Sequence, residues 1–255
     1  MASKRQVPLD PNSFRQLSCC RRMKLNRLLA KHRSMGRSEA QRGIATGQVK
    51  VDGKTITEGS HEIDRFAHVT FQEDTVQMPE RRLCLVLNKP AGGLSATTDP
   101  VHPTVIDLID DPDKHTLHLV GRLDRATTGL MLLTNDGRWS KLLMAPEHKV
   151  DKVYHVTTRD IIPQEAISQF SAGFYFHTED LTTLPAKLEI LTPHTARLTI
   201  QEGRYHQIKR MFHRIGNQVV ALHRERIGNF SLPQDLAEGK WRPLTEDELR
   251  SIQSF

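Results

Sequence analysis

Cysteine is scarce in this chain, and its three copies are poorly placed for chemistry: Cys19 and Cys20 are adjacent and Cys84 stands alone. They provide neither a disulfide framework nor the paired spacing of a zinc site, so reduced thiols are expected. Long apolar runs are also missing. No stretch approaches the roughly 20 residues that a membrane span requires, and the polar, proline-containing start lacks a secretory core. A cytoplasmic protein without a membrane partner is the expectation. Thirteen histidines include no His-x-x-x-His or His-Glu-x-x-His pattern, so no metal site is expected. Gly43, Gly47 and Gly53 are too far apart to cradle a phosphate, and no Gly-x-x-x-x-Gly-Lys-Ser/Thr run occurs. Nucleotide hydrolysis therefore has no support. Internal repeats and low-complexity tracts are absent as well.

What the chain does have is an uneven charge. Residues 1–50 hold 12 Lys and Arg against two acidic residues, a net of +10, whereas all 255 residues sum to only +6. A basic end on a mildly acidic body points to a polyanion, because each Lys or Arg that neutralises a phosphate releases counterions. Residues 1–21 are polar and basic without a hydrophobic period, which predicts a disordered extension. From Met23 onward, Leu25, Leu28 and Leu29 fall at helical spacing among Lys24, Arg27 and Lys31. A second helix is expected over 38–45, capped by Ser38 and ended near Gly47. Residues 48–56 then alternate around Asp52-Gly53, the pattern of a hairpin. These elements make a small domain over 22–71, followed by a polar linker at 72–81 and a larger body over 82–255.

In that body, apolar runs predict strands over 83–87, 117–120, 129–133, 152–157, 186–191 and 196–200, with helices over 138–144, 164–172 and 206–215. The pattern is that of an α+β fold with a largely antiparallel sheet. Between two of the strands lies Gly121-Arg122-Leu123-Asp124-Arg125-Ala126-Thr127-Thr128-Gly129-Leu130. A lone aspartate in a polar turn is ordinarily a turn former. A rigid sheet on both sides could instead present Asp124 to a cleft.

The wording of that run resembles the catalytic motif of the pseudouridine synthases, in the branch that modifies ribosomal RNA through a small N-terminal domain. Three further segments carry the resemblance in the same order: Leu87-Asn88-Lys89-Pro90-Ala91-Gly92-Gly93, Lys152-Val153-Tyr154, and Glu202-Gly203-Arg204-Tyr205-His206-Gln207-Ile208-Lys209-Arg210-Met211-Phe212. Residues 22–71 resemble an S4-like RNA-binding domain. Two departures mark them: Lys24-Leu25-Asn26 replaces Arg-Leu-Asp, and the Ser-Arg pair is reversed at Arg37-Ser38. The resemblance implies that Asp124 is the nucleophile, that Tyr154 lies against the uracil, and that Lys209 is the cation beside Asp124. Arg210 is the alternative cation and a further RNA contact, although consecutive helical residues are about 100° apart and only one can face the cleft. Arg122 is assigned to phosphate gripping or to the gap left by the target base. Arg27, Arg37, Arg42 and Lys50 are the candidate phosphate contacts of the small domain. The isomerisation adds and oxidises nothing, so no cofactor or metal is expected.

The substrate follows from finer wording. His223-Arg224-Glu225-Arg226-Ile227-Gly228 and Trp241-Arg242-Pro243-Leu244-Thr245 resemble the small-subunit (16S rRNA) members, the RsuA family. Three alternatives stand beside this reading: a 23S rRNA uridine as target, a catalytically silent rRNA-binding assembly factor, and a glycoside hydrolase built on Asp124. The last would require a second carboxylate about 5 to 10 Å away, where the motifs supply a tyrosine and a lysine. The expected partner is 16S rRNA or an assembling small ribosomal subunit. A monomer is expected, since the resemblance implies one active site per chain.

Overall fold

The computed structural model describes residues 23–32 and 35–253. The extension expected over 1–21 lies outside the described residues. The chain divides into two compact units, Met1–Arg82 and Leu83–Phe255.

The first unit contains β1 (Met23–Lys24), α1 (Leu25–Lys31), α2 (Arg37–Ala45), β2 (Val49–Val51), β3 (Lys54–Thr55), β4 (Glu62–Ile63), β5 (Val69–Phe71) and β6 (Asp74–Gln77). In α1, Leu25 and Leu29 are one turn apart and buried, while Arg27 and Lys31 are exposed. Helix α2 starts at Arg37 with Gly36 in the capping position, so Ser38 lies in the first turn and does not cap it. Asp52 and Gly53 both adopt left-handed backbone angles (φ 50° and 78°), which matches the hairpin twist between β2 and β3. Strands pair in the order β3-β2-β5-β6. Leu25, Leu29, Ile44, Val49 and Val69 form the core beneath them. The linker expected over 72–81 is corrected in part by β6. Val76 packs on the core and the Gln77 amide donates to the carbonyls of Asp64 and Ala67, so a polar edge strand was concealed by its composition.

The second unit contains β7 (Cys84–Lys89), β8 (His118–Val120), β9 (Thr128–Thr134), α3 (Gly137–Met144), β10 (Lys152–Thr158), α4 (Ala166–Ala172), β11 (Tyr175–Phe176), β12 (Leu181–Thr182), β13 (Lys187–Thr192), β14 (Thr195–Ile200), α5 (Gln207–Arg214), β15 (Val219–Ile227), β16 (Phe230–Ser231), β17 (Trp241–Pro243) and α6 (Glu246–Gln253). Its main sheet runs β13-β14-β10-β15-β9-β7-β17, with β16 beside β15 and β8 beside β9. The pairing of β15 with β9 is parallel and joins two otherwise antiparallel halves. Strands β7 and β9 read as unbroken apolar runs because both of their faces are buried. On one face Leu85, Leu87, Met131 and Leu133 meet Phe170 of α4 and Phe212 of α5. On the other, Val86, Leu130 and Leu132 meet Trp139 of α3 and Ile252 of α6. Each such side chain taken from water contributes about 1.5–3 kcal/mol. This central stack is the rigid base from which the loop between β8 and β9 projects.

Candidate active site

Residues 121–127 connect β8 to β9 and carry Asp124. The loop is tied down on both sides of that residue. Before it, the Leu123 carbonyl accepts from the Ser95 hydroxyl, and the Leu123 amide donates back to the same oxygen at 3.0 Å. After it, the fully buried ammonium of Lys89 donates to the carbonyls of Arg125 (3.2 Å) and Thr127 (2.9 Å), and to its neighbour Pro90 (3.0 Å). Burial pushes the Lys89 pKa down to about 8, against the upward pull of the carboxylates of Asp124 and Glu238. Gly129, the second residue of β9, then takes φ +102°, where an added Cβ would lie 2.4 Å from the Arg224 carbonyl oxygen. Only glycine allows β9 to approach β15 this closely. The Arg224 side chain is buried there too and donates from Nε to the Leu130 carbonyl at 2.7 Å.

The Asp124 side chain stays 29% exposed while its backbone is fixed. Lys209 of α5 places Nζ 3.4 Å from Oδ2, and His206 places Nε2 3.6 Å from Oδ1. The two groups face opposite oxygens of one carboxylate. His206 precedes α5 with a left-handed φ of 49°, a conformation uncommon for a residue with a Cβ. Its turn is locked by polar contacts. Glu202 accepts from Gln207 Nε2 (2.7 Å) and Arg204 Nε (2.9 Å), and the Arg204 amide donates to Gln207 Oε1 (3.0 Å).

Tyr154, on β10, is buried and lines the same cleft as Asp124, Arg122 and Lys209, with Ile200 and Leu222 as apolar walls. Lys152, two residues back along the strand, spends its ammonium on the carbonyls of Val150 (2.8 Å) and Gln201 (3.0 Å). Burial and the neighbouring Arg224 lower its pKa to about 8. The cleft thus combines a carboxylate faced by a lysine ammonium and an imidazole, an aromatic side chain in its wall and an exposed arginine at its rim. It can present a carboxylate oxygen to a planar guest held between Tyr154 and the aliphatic residues.

Residues 83–214 match the family model described as RNA pseudouridylate synthase. The ribosomal small subunit pseudouridine synthase A of Pseudomonas aeruginosa is 48% identical over 230 residues, covering 90% of this chain and 100% of the relative. The chain belongs to the RNA pseudouridylate synthase family. The protein of the same description from Escherichia coli K12 is 42% identical to this pseudouridylate synthase over 90% of the chain and 100% of the relative. A solved structure described as a pseudouridylate synthase superposes with a TM-score of 0.66 at 39% identity, covering 90% of this chain and 99% of the other.

In this pseudouridylate synthase Asp124 and Arg122 of the β8–β9 loop, Tyr154 of β10 and Lys209 of α5 come together from three separate parts of the fold. Arg210, the alternative cation, is directed elsewhere. Its guanidinium pairs with Glu179, donates to Thr178 Oγ1 at 3.1 Å and lies 3.6 Å from the Phe176 ring centre. In the first unit, Arg27 and Arg37 line one concavity between α1 and α2 with Lys24 and Lys31. Arg42 lines a different depression beside Phe71, and Lys50 is exposed on β2. Sequence reasoning passed over Ser95, Lys89 and His206. The available signals were a lysine closing an apolar strand and a histidine one turn before Lys209.

Proposed function

We propose that this protein isomerises a uridine of 16S rRNA to pseudouridine, with Asp124 as the catalytic nucleophile. The observation that carries the proposal is the carboxylate of Asp124, anchored through its backbone and faced by Lys209 and His206, in a cleft walled by Tyr154. The small-subunit substrate is supported by the descriptions of the two relatives that align along their full length.

The reaction breaks the bond from N1 to C1′ and forms one from C5 to C1′; C5 gives up a proton and N1 gains one. Neither reacting atom is reachable while the base is stacked and paired, so the uridine must be flipped into the cleft. Asp124 captures the detached intermediate, for which a carboxylate is suited. Lys209 stabilises its negative charge, with Coulomb attraction reduced by the partial exposure of both groups, 29% and 35%. Tyr154 stacks on the uracil and places its hydroxyl near C5. Arg122 at the rim grips phosphate or fills the vacated position in the RNA. The first unit acts as an S4-like RNA-binding domain whose Arg27, Arg37, Arg42 and Lys50 meet phosphates, and its binding energy offsets the few kcal/mol of unstacking. The protein works as a cytoplasmic monomer.

The test is incubation with unmodified 16S and 23S transcripts and with partly assembled small subunits, followed by carbodiimide-dependent primer-extension mapping. One new stop confined to 16S is expected. Stops confined to 23S would overturn the substrate, and binding without any stop would overturn the activity.

A further inference from the structure

We infer that the Tyr205 ring is a stacking platform for the nucleotide next to the flipped uridine, so that the site engages two successive bases of the RNA. The inference rests on the reading of the Asp124 cleft as a pseudouridine-forming site. A second concavity adjoins that cleft. Both are lined by Arg122, Leu123 and Asp124, but Tyr154 and Lys209 belong only to the first, while Ser95, Arg125 and Tyr205 belong only to the second. Asp124 therefore stands where the two meet.

Tyr205 is 76% exposed. Among the described Phe, Trp and Tyr residues the only other exposed one is Tyr175, whose hydroxyl is engaged by Asp180. Single exposed apolar groups are ordinary on protein surfaces, but this ring is held in place. One of its faces is covered by the His206 imidazole, with centroids 3.9 Å apart and planes inclined by 17°. The same imidazole faces Asp124 Oδ1 at 3.6 Å. The Tyr205 carbonyl accepts from Arg210 Nη1 at 3.3 Å, and the preceding Arg204 is fixed by Glu202. A ring fixed on one side and open on the other, beside a reactive carboxylate, is already ordered before a base arrives. Base–aromatic stacking in single-stranded recognition is sequence-tolerant, because every base has a π-face. Exposed Arg122 and Arg125 border the same concavity and suit the phosphates on either side of a splayed nucleotide.

The experiment compares wild type with Tyr205→Ala and Tyr205→Phe in the full-length protein. Equilibrium binding to unmodified 16S rRNA and steady-state pseudouridine formation are both measured, with thermal melting as a check on the fold. The Ala variant should melt as wild type does, bind about tenfold or more weakly, and raise KM by a similar factor with kcat little changed. The Phe variant keeps the ring face and should restore the affinity. An abasic nucleotide next to the mapped target should remove the difference between wild type and Tyr205→Ala. Equal binding by the Ala variant, equal impairment of Phe and Ala, or a loss confined to kcat would each overturn the platform. Failure of wild type to form pseudouridine would overturn the underlying activity, while the binding comparison would still decide whether the ring stacks on RNA.

Discussion

Asp124 owes its position to residues that never touch its carboxylate. Ser95 and Lys89 hold the backbone on either side of it, leaving the two oxygens for Lys209 and His206. Asp124→Asn preserves those backbone contacts, and we expect product formation to fall by more than about 10³-fold with rRNA binding retained. Primer extension and filter binding on the same preparation check this; unchanged product formation would exclude Asp124 as nucleophile. Lys209→Met should lower kcat by about 10²-fold and Lys209→Arg by less, because the arginine restores a cation. Buried Lys89 and half-buried Lys152 supply a prediction with a definite sign. Lys89 and Lys152 have folded-state pKa values near 8, below the ordinary 10.5. Between those limits the unfolded chain binds more protons, so these groups make stability rise with pH through that window. Unfolding at pH 9 should therefore take up protons, and Lys89→Gln and Lys152→Gln should each remove a share of that uptake, measured by unfolding in buffers of different ionisation enthalpy. Asp124, Tyr154 and Lys209 were visible in the chain because each sits in a run whose wording resembles a family motif. Ser95 was not, since it acts through a carbonyl 28 residues away and leaves no local pattern, and Lys89, although it stands in such a run, shows its role only through carbonyls 36 and 38 residues on.

Among the elements, β9 and β15 matter most to the site, and they differ in how far composition reveals them. The apolar run of β9 announces a strand buried on both faces. In β15, His223, Arg224, Glu225 and Arg226 break any apolar alternation, and these residues were used only as a marker of substrate class, although they form the sheet's central strand. The same blindness applied to β6, polar and at an edge, and to β17 and α6, where Trp241 and Ile252 do the packing in short segments. Gly129→Ala tests the β9–β15 contact. Its Cβ would meet the Arg224 backbone, and a left-handed φ is required as well. We expect a loss of more than about 2 kcal/mol in urea unfolding. A stability within 0.5 kcal/mol of wild type, as an order-of-magnitude surface effect, would show that the two strands can part at little cost.

For the whole molecule, charge and chemistry are divided between the units: the first carries the concavity lined by Arg27 and Arg37, the second the carboxylate cleft. If Arg27 and Arg37 meet phosphates, replacing either by alanine should lower the slope of log affinity against log salt by about one and leave kcat at saturating RNA intact. An unchanged slope would remove that arginine from the interface. Among the described residues no helix is long and apolar enough to cross a membrane. The parallel pairing of β9 and β15 also sets the timing of assembly. Thr128 and His223, joined by a side-chain hydrogen bond at 2.8 Å, are 95 positions apart, and such non-local pairing slows folding because the closure entropy comes first. Lys89, Ser95 and Asp124 are all synthesised early, but the strand that pairs with β9, just after the Asp124 loop, comes nearly one hundred residues later. A nascent chain therefore carries Asp124 long before the sheet around its loop can close, and the cleft can form only after β15 has emerged.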